Sequence, residues 1–188
     1  MAHQVFDNMF SETLVSEVEN LLTAFPFDWH FVDWSSGGIQ NPNDPFEKDS
    51  PQMVHMFCRD DNWVSPYSGI IQDMLDVIKT ETDLISIHKI KANLTMPDGT
   101  SDKHYNAPHQ DHEQNDFLSM VYYVHDADGD TILFDRYHRD EKAEEATQVA
   151  RVQPSRGRCV VFPSTQFHSS TNPIMFNKRT VLNFIFQV

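Results

Sequence analysis

Cysteine is scarce in this sequence: Cys58 and Cys159 are the only two in 188 residues, far apart and in no CxxC pair. That excludes a disulfide framework and reads as two reduced thiols in a cytoplasmic protein. Long apolar runs are missing as well. No stretch approaches the ~18 uninterrupted apolar residues of a membrane span, and the opening MAHQVFDNMF lacks the basic start and apolar run of a signal peptide. Basic residues are few, 14 against 28 acidic, for a formal charge of −14. Affinity for phosphates comes from Lys and Arg displacing counterions. Nucleic acid and anionic membrane surfaces are therefore not expected as partners, short of a single strongly basic pocket.

What is present fits one domain with a sizeable core. Aromatic residues make up 12%, including 14 Phe, which suggests an aromatic-rich and partly sheet-based interior. Ser11 is placed to cap a helix whose Leu14, Val15, Val18, Leu21, Leu22 and Phe25 fall at helical spacing, closing at Pro26. FDWHFVDW reads as a strand and SSGGIQNPNDP as a loop; a second helix is predicted from about Tyr67 to Glu81. From Asp83 onward the pattern turns to strands: LISIHKIKANL, DFLSMVYYVH, DTILFD, TQVARVQP, GRCVVFP and RTVLNFIFQV. MPDGTSD and DADG read as turns, and HRDEKAEEA as a charged excursion. The expectation is a single domain over 1–188, mainly β, in which a helix-and-strand region at 1–82 buttresses a β-barrel at 83–188.

The histidines carry the chemistry. Five of ten lie between His104 and His138, and two His-x-Asp pairs stand among them, His109-Gln110-Asp111 and His138-Arg139-Asp140. Two imidazoles and one carboxylate on one face of a redox metal leave its other positions open for a bidentate co-substrate and oxygen. His-x-Asp at a strand end is a compact source of two of these ligands, because i and i+2 share a side. His168 is the natural third. Three strand-like segments fit between His109 and His168, whereas His138 stands too close to His168 for the strands that should intervene. Spacing thus favours His109, Asp111 and His168. Arg179, a short way beyond His168, opens an apolar strand and suits the far carboxylate of a dicarboxylate co-substrate. His104 and His112 flank the predicted site and are expected at most to line its entrance. His55, His88 and His125 read as satisfied barrel or surface residues.

The ordered series HQD, SMVYYVHDADGDTILFD, GRCVVFPSTQFHSS and KRTVLNFIF resembles the iron(II)/2-oxoglutarate oxygenase superfamily. It is most similar to the prolyl-hydroxylase-like branch and to small bacteriophage-encoded oxygenases. IHKIKANL and QMVHMF share the latter resemblance, which covers roughly residues 53–188. It implies a double-stranded β-helix (jelly-roll, cupin-like) barrel that uses Fe(II), 2-oxoglutarate and O2 to hydroxylate a substrate, releasing succinate and CO2. It also implies the host cytoplasm as location if the gene is a phage's. His109, Asp111 and His168 match the metal ligands and catalytic centre; Arg179 matches the co-substrate anchor. Tyr123, Asn93 and Asn183 match supporting positions around the co-substrate, and Thr131 matches more weakly. The partner is expected to be a peptidyl side chain, proline included, or a small molecule. Gly129-Asp130-Thr131 departs from the Gly-Tyr-Thr usual in the phage proteins. The rival readings are a nucleic-acid demethylase, disfavoured by the charge, a non-catalytic jelly-roll module, and a zinc hydrolase, which would not require Arg179.

Overall fold

Ser11 begins the first helix as expected. Its hydroxyl accepts from the Leu14 amide at 3.3 Å, and α1 runs Glu12–Thr23 with Leu14, Val15, Val18 and Leu22 buried. Phe25 does not belong to that apolar face; it is 98% exposed. A residue preceding proline is driven out of the helical region, so the helix stops before it. The structure, a computed structural model, describes residues 3–34, 49–99, 105–137 and 146–188. The SSGGIQNPNDP loop, His104 and the His138-Asp140 pair lie outside the described residues.

Among the described residues, eleven strands accompany two helices: β1 Gln4–Phe6, β2 His30–Val32, β3 Gln52–Arg59, β4 Asn62–Trp63, β5 Ser86–Thr95 and β6 Phe117–Tyr123, with α2 Ser68–Glu81 between β4 and β5. Then come β7 Thr131–Phe134, β8 Gln148–Val152, β9 Cys159–Pro163, β10 His168–Ser170 and β11 Arg179–Gln187. They form two sheets. The larger has eight strands in the order β1-β9-β6-β11-β5-β3-β2, with β4 paired to β3; the smaller is β10-β7-β8. All pairings are antiparallel. This is the mainly β jelly-roll expected, and its larger sheet draws four strands from before Asp83.

The side chains sort by strand parity. Tyr122 and Phe184 point outward onto α1 and α2, in a core with Val18, Ile71, Met74 and Ile90. Tyr123, Val121 and Val181 point inward and meet Leu133, Val152 and Phe162. With helices on one face and the small sheet on the other, the central strands are covered on both. That is why β6 and β9 are buried at every position rather than at alternate ones. Cys58 and Cys159 are buried free thiols, and burial pushes their pKa values up to about 11 and about 12.

Candidate metal centre and co-substrate cavity

A reciprocal pair of backbone hydrogen bonds brings the first ligand set together. His109 and His168 each donate N–H to the other's carbonyl at 2.9 Å, an isolated antiparallel bridge joining the HQD segment to β10. Residues at such a bridge face the same way, and the two rings lie 4.4 Å apart between centroids. Asp111 follows two residues later on the same side, its Oδ2 3.4 Å from His168 Nε2. One ligand atom from each of His109, Asp111 and His168 lies within 4.8 Å of the others.

Each of these side chains is held from behind. His109 Nδ1 faces the Ala107 carbonyl at 3.3 Å, and His168 Nδ1 faces that of Gln166 at 3.1 Å. A carbonyl only accepts, so both Nδ1 atoms carry the proton and each Nε2 presents a lone pair. Burial, then the neighbouring His168, pushes the His109 pKa down to about 4, which keeps the ring neutral. Asp111 Oδ2 accepts from Ser119 Oγ at 2.7 Å, and Ser119 Oγ pairs with Ser164 Oγ at 2.9 Å. Burial works against the Asp111 carboxylate, but His168, His109, Lys89 and the Ser119 hydroxyl outweigh it and hold its pKa well below the usual range. Two imidazole nitrogens and an ionised carboxylate converging on one point are a donor set that suits Fe(II).

The triad lines a cavity between the sheets together with Arg179, Thr131, Asn93 and Asn183. Arg179 is 5% exposed. Its Nε donates to the Gly129 carbonyl and its Nη2 to Thr131 Oγ1 at 3.0 Å, and burial lowers its pKa. No carboxylate forms an ion pair with it among the described residues. Gly129 is what lets it sit there: a Cβ on that residue would lie 2.6 Å from Arg179 Cδ and 2.7 Å from the Thr171 carbonyl oxygen.

Tyr123 stands behind the cavity wall rather than in it. Its hydroxyl donates to Thr131 Oγ1 at 2.7 Å, and its ring centroid is 5.7 Å from the Arg179 guanidinium. Thr131, the weaker match in the sequence, is thus the shared contact of both and lines the cavity itself. Asn183 Nδ2 donates to Asn93 Oδ1 at 2.9 Å, Asn93 Nδ2 donates to Gln52 Oε1, and Gln52 Nε2 donates to the Trp34 carbonyl at 3.2 Å. These residues form a polar chain across β11, β5 and β3. Both asparagines therefore have the partners a buried amide needs.

His112 lies outside the metal point, stacked on Phe117 at 3.7 Å. His55, His88 and His125 are each hydrogen-bonded elsewhere, to Asp28 and Ser65, to Asp60, and to Asp126 and Thr180. Sequence reasoning passed over Ser119, Gln52 and Lys91. Lys91 shares the inward face of β5 with Asn93, so the two-residue period that marks one marks the other.

Residues 92–187 match the family described as the 2OG-Fe(II) oxygenase superfamily, a span of just over half the chain. The chain belongs to that superfamily. Solved structures with the same fold include a Pseudomonas putida prolyl-4-hydroxylase, 13% identical with a TM-score of 0.57, covering 99% of this chain and 92% of that one. An oxidoreductase of the 2OG-Fe(II) oxygenase family from Burkholderia pseudomallei is 17% identical, TM-score 0.64, covering 98% and 84%. A Trichoplax adhaerens prolyl hydroxylase, solved with a hypoxia inducible factor peptide fragment, is 12% identical, TM-score 0.57, covering 98% and 83%. No curated protein matches the sequence. No helix among the described residues of this oxygenase is long and apolar enough to cross a membrane.

Proposed function

We propose that this chain is an Fe(II)- and 2-oxoglutarate-dependent dioxygenase that hydroxylates a peptidyl side chain, proline among the candidates, or a small molecule. His109, Asp111 and His168 are its metal ligands, and Arg179 with Thr131 binds the far carboxylate of 2-oxoglutarate. Tyr123 fixes Thr131, while Asn93 and Asn183 line the cavity between these two ends. When bound, iron and 2-oxoglutarate supply the oxidising power: O2 is consumed, 2-oxoglutarate leaves as succinate and CO2, and a substrate C–H becomes C–OH.

The chain's own residues hold and shield. The carbonyls of Ala107 and Gln166 fix the imidazole orientation, Ser119 fixes the carboxylate, and Val121 and Val181 close the cavity against water. The observation that carries this reading is Arg179, a buried cation with no carboxylate partner among the described residues, in the same cavity as the triad. Burying a charge alone is costly. A dicarboxylate chelating the metal relieves that cost, whereas a zinc hydrolase on the same triad has no use for the arginine.

An anaerobic titration of Fe(II)-loaded protein with 2-oxoglutarate tests it, read by the visible metal-to-ligand absorption and by succinate formed on admitting air. Arg179→Ala is expected to weaken 2-oxoglutarate binding by about 3 kcal/mol or more, the scale for breaking a buried pair. Arg179→Lys loses less, because a point charge replaces a planar fork. Iron affinity stays unchanged in both. Unaltered succinate production by Arg179→Ala would sink the assignment.

A further inference from the structure

The metal cavity opens on a second hollow, a groove of about 360 Å³ bounded by β2, β3, β5 and the HQD segment. The β3–β5 register sets Met56 opposite Lys91 and Arg59 opposite Lys89, with a bulge between Met56 and Cys58 that returns Arg59 to the inward face. Three cations, Arg59, Lys89 and Lys91, thereby line one groove, and Lys91 also lines the metal cavity. Val32, Trp34, Val54 and Met56 supply the apolar wall.

This concentration runs against the chain as a whole, whose formal charge is −14. Among the described residues, Asp111 is the only carboxylate lining the groove, and it belongs to the metal triad. None of the Arg59, Lys89 and Lys91 side chains makes a hydrogen bond or ion pair among the described residues. Like charges facing each other across a strand pair are destabilising. With acidic residues outnumbering basic ones 28 to 14, a neutralising carboxylate would be the ordinary surrounding of such a cluster. Among the described residues, the carboxylates that act on this row are Asp111, on Lys89 and Lys91, and Asp49, on Lys91, fewer than the three cations.

We propose that the primary substrate carries a fixed anionic group, a carboxylate or phosphate, which Arg59, Lys89 and Lys91 hold in this groove while the C–H to be oxidised reaches the metal. This rests on the oxygenase reading and narrows its substrate class. Alternate side chains on one strand face stand about 6.6–6.8 Å apart. The anion is therefore seated one or two such steps from the bond that reacts, and Trp34, Val54 and Met56 cover the apolar carbon skeleton between.

The experiment uses Fe(II)- and 2-oxoglutarate-loaded protein held anaerobic, with Trp34 fluorescence as the binding signal and Trp34→Phe as its control. Matched pairs serve as probes: L-glutamate and L-glutamine, phosphoserine and serine, and a capped Asp-Glu dipeptide against its Asn-Gln counterpart. At least one acidic member is expected to bind roughly tenfold or more tightly than its neutral twin, and added NaCl is expected to weaken it. Lys91→Gln and the double variant Arg59→Gln/Lys89→Gln each abolish the difference. Which pair responds distinguishes a free carboxylic acid, a phosphorylated compound and an acidic peptide. Equal binding within every pair, no binding by any probe, or discrimination that survives both variants overturns the proposal. The visible absorption of the wild-type complex separates the two failures: if it forms and discrimination is absent, the anionic substrate alone is wrong; if it never forms, the oxygenase reading has failed first.

Discussion

Gly129 contributes by what it omits. Arg179 reaches the cavity only by passing over this residue, and its Nε is tied to the Gly129 carbonyl. A methyl group there collides with the Arg179 side chain and with the Thr171 backbone, which cannot swing aside as the end of a flexible side chain would. Gly129→Ala is expected to cost about 1–3 kcal/mol of stability, as overpacking does. It should also weaken 2-oxoglutarate binding roughly tenfold, or about 1.4 kcal/mol, while the metal, held by other segments, binds as before. Parallel thermal melts and anaerobic titrations check this; unchanged 2-oxoglutarate affinity in a folded variant would detach Gly129 from the anchor. The sequence pointed to Arg179 because a cation opening an apolar strand after the last histidine is conspicuous. It did not single out Gly129, because DADG reads as an ordinary turn and a close approach by a residue so much later in the chain has no local signature.

At the scale of elements, the legible strands are those that feel one environment along their length. β6, β9 and β11 are apolar nearly throughout, since the sheet is covered on both faces, and their runs stand out. β3 was not legible. Its bulge between Met56 and Cys58 breaks the two-residue alternation by which a strand is read. β10 has three residues and shows itself only through His168. β5 shows the other limit. Its alternation was clear and Asn93 was expected near the co-substrate, but Lys89 and Lys91 on the same face were given no role. The inward lysines make sense only once that face is seen to line a metal cavity and a groove. Asn93 sits in the middle of this face as both donor and acceptor. Asn93→Ala removes both of these hydrogen bonds, to Asn183 Nδ2 and to Gln52 Oε1, and a typical intramolecular hydrogen bond contributes about 0.5–1.5 kcal/mol. A urea midpoint indistinguishable from wild type would show that the polar chain adds nothing to the fold.

Across the whole molecule, the split into a support region and a barrel describes the order of the chain better than its arrangement in space. β1 pairs with β9, and β3 pairs with β5, so strands from both ends of the sequence share one sheet. Pairings of such sequence separation leave no trace in local periodicity, so the helix-and-strand region at 1–82 gives no sign of which later strands it joins. The formal charge was legible as a number but not as a distribution. An average of −14 conceals an inward-facing cationic row, because registers rather than composition decide which charges meet.

The bridge between His109 and His168 has a consequence for the stability of the molecule. A metal ion held by these two residues and Asp111 is a cross-link between segments remote in sequence, tying β10 of the small sheet to the chain that leads into β6. Unfolding must open that link, so the ion stabilises only the folded state. At a free metal concentration about 100-fold above its Kd, this linkage amounts to about 2.7 kcal/mol. Fe(II), or a redox-silent divalent ion in its place, is therefore expected to raise the melting temperature of wild type and leave that of His109→Ala where it was. On the proposed reading, the same cavity also acts as a reversible staple, and the protein without its metal is the looser form.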